Sequence, residues 1–221
     1  MVLIIVMKQP TQIAVGLLIM LTYLISMYLY PSMPELMPTH WNQKGEVDRY
    51  MHKFWALFLI PFISTVCVLM FYFVPKIDPL KKNIAKFGNQ YDGFIMIFTG
   101  YMFYLYILTV IAHFDKNLNF VKLMIPAFSV LIFYTGCFLK NAKQNWFMGI
   151  RTPWTLSHKK GWEKTHKIGS ILFKISGIVS LLGIMFEQYA FILVMAPVIL
   201  SSLFLLFYSF FVYQKFNKKK A

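Results

Sequence analysis

NWFMGIRTPWTLSHKKGWEKTHKIG, residues 145–169, is the polar segment around which an otherwise apolar chain is organised. It carries one arginine, four lysines, two histidines and three tryptophans, and an apolar run lies on each side of it. A chain needs no such segment in order to dissolve in lipid. We therefore look for part of the function here.

The composition is that of an integral membrane protein. Of the 221 residues, 58% are hydrophobic and only 14% are charged, whereas soluble domains are about a quarter charged and less than half apolar. The net charge of +14 would suggest nucleic acid as a partner of a soluble protein. Here the lysines gather in alternate loops, as the positive-inside rule describes. We therefore expect membrane lipid as a partner and no direct nucleic-acid binding.

Six stretches of the chain are apolar over the length, about 20 residues, that a helix needs to cross the hydrocarbon layer. They predict an all-α integral membrane protein with six transmembrane helices, in the plasma membrane of a prokaryote. The predicted spans are residues 12–30, 54–74, 94–112, 121–139, 168–186 and 189–213.

The basic residues predict the orientation of these spans. One side of the membrane receives 16 lysines and arginines, in the N-terminus, loops 75–93 and 140–167 and the C-terminal tail, and the other side receives five. The positive-inside rule then places both termini and the 145–169 segment in the cytoplasm. We divide the chain into residues 1–74, with two spans and an external cap, residues 75–139, with spans three and four, and residues 140–221, with the basic loop and the last two spans.

The external cap lies in residues 31–53, and its distinctive part is MPTHWNQKGEVDRY, residues 37–50. Its prolines argue against a long helix and its glycine indicates a turn. Its histidines and carboxylates follow no standard zinc-binding spacing, so we expect no metal and a compact polar cap held by local hydrogen bonds. The candidate residues of the external cap are Pro38, His40, Trp41, Asn42, Gly45 and Asp48.

The first part of the basic loop, residues 145–153, contains too many turn-forming residues for a helix. We expect a new helix after Ser157, which is a good N-cap. Trp162 and His166 are spaced i, i+4 on that helix with Thr165 beside them, so one face carries an indole, a hydroxyl and an imidazole. The candidate site residues of the loop and the following span are Asn145, Gly149, Arg151, Thr152, Pro153, Trp154, Trp162, Thr165, His166 and Lys174.

Two interpretations of this loop are open from the sequence. In the first, the turn at residues 149–154 packs on the face of Trp162, and the planar guanidinium of Arg151 binds helix-terminal carbonyls or an anionic ligand. In the second, the helix lies on the membrane with its tryptophans at headgroup depth and its lysines on phosphates. The second interpretation explains the lysines, but it explains the Arg-Thr-Pro sequence less well.

Lys174 is an ionisable residue inside a predicted span. Such a residue is by default a candidate functional group, although a lysine side chain also reaches the membrane interface by snorkelling. No aspartate or glutamate falls within the predicted spans, so we expect no buried ion pair or proton relay. No Ser-His-Asp, HExxH or paired-carboxylate arrangement is visible at a useful spacing. We therefore expect neither an enzyme nor a cofactor.

Residues 145–157, followed by Trp162 and residues 165–169, resemble the signature of the SdpI family of six-span membrane proteins. Residues 37–48 resemble the small domain of unknown function that often precedes that signature. The two motifs stand in the expected order, and together they cover most of the chain. Trp41 departs mildly from the pattern, which has a smaller aromatic residue there.

The resemblance implies immunity to a toxin. The family is named for a protein that protects its own cell from a secreted toxin peptide, and that holds a helix-turn-helix repressor at the membrane when the toxin is present. It thus implies two partners, a secreted peptide toxin and a cytoplasmic helix-turn-helix repressor. The alternative interpretation is a small transporter, which Lys174 and the prolines within spans favour and the lack of carboxylates there opposes.

Overall fold

The computed structural model describes residues 7–115 and 118–217. Its helices and strands are, in chain order, α1 (Gln9–Leu29), β1 (Leu36–Trp41), β2 (Val47–His52), α2 (Lys53–Ile77), α3 (Lys81–Ile84), α4 (Gly88–Phe114), α5 (Phe120–Asn141), α6 (Pro153–Ser157), α7 (Lys159–Leu181) and α8 (Ala190–Asn217). Short 3-10 turns lie at Ala85–Phe87, Leu182–Ile184 and Glu187–Tyr189.

Six of the helices in the described part of the chain, α1, α2, α4, α5, α7 and α8, are long and apolar enough to cross a membrane. The prediction of a multi-pass membrane protein with six spans is confirmed. The physical reason is that hydrocarbon offers no hydrogen-bond partners, so an apolar run that crosses it must satisfy its backbone internally, as a helix does.

The segment between α1 and α2 is the exception to the all-helical prediction, because it forms an antiparallel β-hairpin from β1 and β2. Gly45 makes the turn with φ +81, and the Asn42 side chain accepts hydrogen bonds from the backbone N–H groups of Lys44 and Glu46 at 2.9 and 3.0 Å. The strand register shifts between Pro38 and His40. The prolines disfavour a long helix here, and the structure has paired strands where the sequence predicts only a compact cap.

The bundle consists of two halves that meet mainly along α4 and α5. The first half holds α1, α2, α4 and the hairpin, and the second holds α5, α7 and α8. Within the second half, α5 and α7 approach closely at Gly136 and Gly177. A Cβ on Gly136 would lie 2.7 Å from the carbonyl oxygen of Ser170, and one on Gly177 would lie 2.8 Å from that of Ser129. Glycine is needed at both positions because the two backbones nearly touch.

One expectation about a helix boundary is wrong. The N-cap of α7 is His158 rather than Ser157, because Ser157 ends α6 and the His158 Nδ1 accepts a hydrogen bond from the Gly161 N–H at 3.1 Å. The helix α4 begins at Gly88, six residues before the predicted span 94–112, so Asp92 lies on this helix but ahead of that span. Asp92 is 6% exposed, and it accepts a hydrogen bond from the backbone N–H of Lys8 at 3.2 Å.

Candidate functional site

A hydrogen bond joins the basic loop to α7. The backbone N–H of Ile150 donates to Nε2 of His166 at 3.0 Å, and Nδ1 of His166 lies 2.9 Å from the carbonyl oxygen of Trp162. Because Nε2 accepts, Nδ1 carries the proton and donates to that carbonyl. This arrangement requires a neutral imidazole that uses both ring nitrogens.

The aromatic face predicted from the i, i+4 spacing is present and buried. The rings of Trp162 and His166 are stacked with centroids 3.9 Å apart, and the indole Nε1 donates to the carbonyl oxygen of Ala142 at 2.8 Å. Trp162 is only 1% exposed and His166 only 2%. A helix lying on the membrane would hold Trp162 among lipid headgroups. The structure instead has the packed turn of the first interpretation.

Gly149 is required by both conformation and space. Its φ of +101 lies in a region that other residues rarely adopt. A Cβ at this position would also lie 2.4 Å from Nε2 of His166. The turn can therefore approach the imidazole only because residue 149 has no side chain.

Thr152 and Pro153 begin α6 and fasten it to α8. Thr152 is the N-cap, in a reciprocal capping box with Thr155, and Pro153 occupies the first helical turn. The hydroxyl of Thr152 also donates to Oγ of Ser209 in α8 at 3.0 Å, and the hydroxyl of Thr155 donates to the carbonyl oxygen of Ile150 at 2.8 Å. The sequence did not reveal the role of Thr155, because the usual capping-box pattern has glutamate or glutamine three residues after the N-cap.

Asn145 organises the start of the loop from a fully buried position. Its Oδ1 accepts hydrogen bonds from the backbone N–H groups of Phe147 and Met148 at 3.0 and 2.6 Å, and its Nδ2 donates to the carbonyl oxygens of Lys143 and Met148. One amide side chain thus closes the turn that precedes Gly149.

The segment between α2 and α4 supports the loop from the other half of the bundle. Asp78, which is 1% exposed, accepts hydrogen bonds from the backbone N–H groups of Trp146 at 2.9 Å and Leu80 at 2.6 Å. Asn83 donates through Nδ2 to the carbonyl oxygen of Gln144 at 2.9 Å. Neither residue was among the predicted site residues, because their partners lie more than 60 positions away and leave no local pattern.

Arg151 lies on the surface of this cluster. Its Nη1 donates to the carbonyl oxygen of Trp146 at 2.9 Å while the side chain stays exposed. We expected helix-terminal carbonyls or an anionic ligand as its partner, and the observed acceptor is a loop carbonyl. Arg151 is therefore the charged group that the fixed turn presents outward.

Trp154 packs edge-on against Phe210 of α8, with centroids 5.1 Å apart.

Thr165 and Lys174 take different places on α7. The hydroxyl of Thr165 is buried, and within the described residues it has no hydrogen-bond partner. Lys174 lies about two helical turns beyond His166, half-buried, with its stem against α5. A Cβ on Gly136 would lie 2.8 Å from Cγ of Lys174. The structure thus places Lys174 on the α5–α7 contact rather than in the Trp162 cluster.

The predicted residues of the external cap form a second cluster at the opposite end of the bundle. His40 and Asp48 pair across the hairpin, with Nδ1 and Oδ1 2.6 Å apart and both side chains exposed. Trp41 stacks on Phe120 of α5 with centroids 3.7 Å apart, and this contact docks the hairpin on the second half. Pro38 is buried at the base of the hairpin.

Candidate residues of the external cap line two cavities. One, of about 540 Å³, lies between Pro38, Gly45 and Tyr50 of the hairpin and the end of α4. The other, of about 490 Å³, lies between the His40–Asp48 pair and apolar residues of α5 and α8. Within residues 7–115 and 118–217, no group of three or more histidine, cysteine, aspartate or glutamate side chains is placed to hold a metal ion.

Glu35 anchors the hairpin to the start of α2. Its carboxylate lies 3.1 Å from Nζ of Lys53 and 2.9 Å from Nε2 of His52. The hydrogen bond from Lys53, followed by that from His52, lowers the pKa of Glu35 below its usual value. The carboxylate thus stays charged, and keeps both bonds, at a lower pH than a free glutamate would.

Comparison with known proteins agrees with the two motifs. Residues 141–209 match the model of the SdpI/YfhL protein family, and residues 17–65 match a domain of unknown function, DUF1648. The chain is 23% identical to the immunity protein SdpI of Bacillus subtilis (strain 168) over 202 residues, which cover 91% of this chain and 95% of that protein. No solved structure matches the chain. Both predicted resemblances are therefore confirmed, together with a multi-pass protein of the cell membrane.

Proposed function

We propose that this chain belongs to the SdpI family and is a membrane immunity protein that protects the cell carrying it from a secreted antimicrobial peptide. The observation that carries the proposal is the similarity to the immunity protein SdpI, which extends over 91% of this chain and 95% of that one. It includes both ends of the bundle, so it covers the hairpin as well as the basic loop.

The hairpin end is the part suited to the toxin. It offers a polar, exposed imidazole–carboxylate pair in His40 and Asp48, and apolar cavity walls lie directly beneath this pair. A membrane-active peptide has both apolar and polar surface, so it needs both kinds of contact. We assign recognition to this end.

The loop end is the part suited to a cytoplasmic partner. The turn from Asn145 to Thr152 is fixed by hydrogen bonds to α7, to α8 and to the segment before α3. A fixed turn presents Arg151 without the entropic cost of ordering a loop on binding. We propose that this surface holds a helix-turn-helix repressor at the membrane when toxin is present.

Expression in a toxin-sensitive strain tests the function. Cells that lack their own immunity protein should grow in the presence of the sporulation-delaying toxin when they carry this chain, and liposomes that contain it should show no flux of labelled substrate. Flux without protection would support the small transporter instead. Protection in cells that have no repressor gene would show that immunity does not require the proposed repressor binding.

A further inference from the structure

A third cavity lies at the loop end, beneath the basic loop and between the two halves of the bundle. Its volume is about 290 Å³. Phe71 and Phe94 form its wall on the first half, Phe138 and Phe173 form its wall on the second, and residues 147–150 cover it. The cavity is thus built from aromatic side chains of both halves.

The side chains that line the cavity are mostly apolar, so they favour an apolar occupant. Only two side chains of the lining carry hydroxyl groups, Tyr91 and Thr135. The Tyr91 hydroxyl donates to the carbonyl oxygen of Phe71 at 2.7 Å, and the Thr135 hydroxyl donates to that of Leu131 at 2.8 Å. Both donors are already used, so the wall offers little to a polar ligand or to water.

The cavity lies at the loop-side ends of the predicted spans. Phe71 is three residues before the end of the second predicted span, residues 54–74, and Phe94 is the first residue of the third, residues 94–112. Acyl chains begin at this level, next to the headgroups, so an open apolar cavity there borders on lipid tails.

The charge around the cavity favours an anionic headgroup. All described lysines and arginines of loops 75–93 and 140–167 are exposed. Of the acidic groups at this end, Asp78 accepts two backbone hydrogen bonds, Asp92 is buried, and Glu163 is exposed. Arg151 directly follows Ile150, a lining residue, and Nη1 is its only nitrogen with a described hydrogen bond. Its guanidinium can bind a phosphate.

We propose that this cavity holds one acyl chain of an anionic phospholipid whose phosphate is bound by Arg151. The occupant joins the two halves of the bundle at the loop, because its chain contacts aromatic side chains of both. The cavity is separate from the toxin surface proposed above, and Arg151 is the one side chain that it shares with the surface proposed for the repressor. Lipid retention by the purified chain needs neither toxin nor repressor, so this proposal does not depend on theirs.

Native mass spectrometry of the full chain tests the site. The protein is extracted from nanodiscs that contain equal amounts of phosphatidylglycerol and phosphatidylcholine, and the retained lipids are counted. We expect one phosphatidylglycerol to be retained. Arg151→Gln should lower the preference for phosphatidylglycerol about fivefold, the share that one basic residue near a membrane surface contributes. Arg151→Lys should keep most of that preference because it keeps the charge.

A second pair of variants tests the acyl chain. Thr135→Phe fills the cavity and should lower the retention of both lipids, whereas Val130→Phe adds the same bulk on the outer surface of α5, where Val130 is 55% exposed, and should change nothing. Thr135→Leu serves as a milder filling variant if circular dichroism shows that Thr135→Phe is unfolded. Lys160→Gln is the matched charge control.

The proposal is overturned if the filling variants retain lipid as Val130→Phe does, or if Arg151→Gln keeps the full preference for phosphatidylglycerol. Failure to retain any lipid by the parent chain would equally overturn it. Protection against toxin is measured in parallel, and because lipid retention is scored independently, the failure of one proposal is distinguishable from the failure of the other.

Discussion

Ile150 and His166 lie sixteen residues apart in the sequence, and a single hydrogen bond from the N–H of Ile150 to Nε2 of His166 holds the loop on α7. The acceptor is available only while the imidazole is neutral, since a protonated ring has two donors and no acceptor. The hydrogen bond between the loop and α7 thus depends on one lone pair.

Replacing that acceptor should loosen the loop. His166→Phe keeps a planar ring that can stack on Trp162 but leaves the N–H of Ile150 buried without a partner, which costs about 1–3 kcal/mol. We expect the free energy of unfolding in detergent to fall by that amount. Lys160→Gln, an exposed change on the same helix, should leave it unaltered. An unaltered stability of His166→Phe would show that the loop does not need this bond.

Gly149→Ala should be destabilising for two reasons, the positive φ and the close approach to His166. Forcing a side chain into such a backbone conformation costs about 1–3 kcal/mol. Gly100 is the matched control, because a Cβ there would meet nothing within 4 Å and it lies inside α4. Gly100→Ala should be neutral or stabilising. Equal melting temperatures for the two variants would contradict the packing described for the turn.

Arg151→Lys should abolish protection or signalling as completely as Arg151→Ala does. The guanidinium bonds the carbonyl of Trp146 and presents its remaining N–H groups in a fixed fork, which the compact ammonium of lysine does not reproduce. Lys159→Gln and Lys160→Gln, which lower only the charge, should be nearly silent. Growth under toxin challenge is the measurement. If only the lysine substitutions reduce growth under toxin challenge, the loop acts as a charged membrane anchor.

The orientation predicted from the basic residues has both termini in the cytoplasm. In a variant whose native Cys67 and Cys137 are replaced by alanine, we introduce Lys44→Cys in the hairpin or Lys159→Cys at the start of α7, both at exposed positions. A membrane-impermeant thiol reagent added to intact cells should label position 44 and spare position 159. The opposite labelling pattern would reverse the topology.

The imidazole–carboxylate pair of the hairpin should matter for resistance. Replacing His40 and Asp48 together by alanine removes exposed polar groups and no core contact, so protein level and insertion should stay normal while resistance falls. Replacing Glu46, an exposed carboxylate on the same hairpin, by glutamine is the control. Full resistance in the double variant would move toxin recognition away from this pair.

Local patterns in the sequence predicted part of this architecture. The length of each apolar run predicted the six spans, because the thickness of the hydrocarbon layer dictates it. The i, i+4 spacing of Trp162 and His166 predicted their shared face, because helical geometry dictates that as well. Both inferences need only the neighbouring residues.

Interactions between residues that are distant along the chain could not be predicted from the sequence. Asp78 looks like an ordinary loop carboxylate until its bond to Trp146 is seen, 68 positions away. Asp92 precedes the apolar run of its helix, so the sequence did not show that α4 begins before it, at Gly88. The strands of the hairpin depend on pairing between β1 and β2, which a cap without clear alternation does not reveal.

The division of the bundle into two halves has an evolutionary consequence. The DUF1648 match ends within α2, in the first half, and the SdpI/YfhL match begins at the end of α5, in the second. Each match thus lies within one half of the bundle, and residues 66–140, which include α4 and nearly all of α5, belong to neither match. A chimera that joins the first half of one relative to the second half of another would keep the contacts within each half. It would have to form new contacts where the two halves meet. There the Asp78 carboxylate of one parent must meet the Trp146 amide of the other.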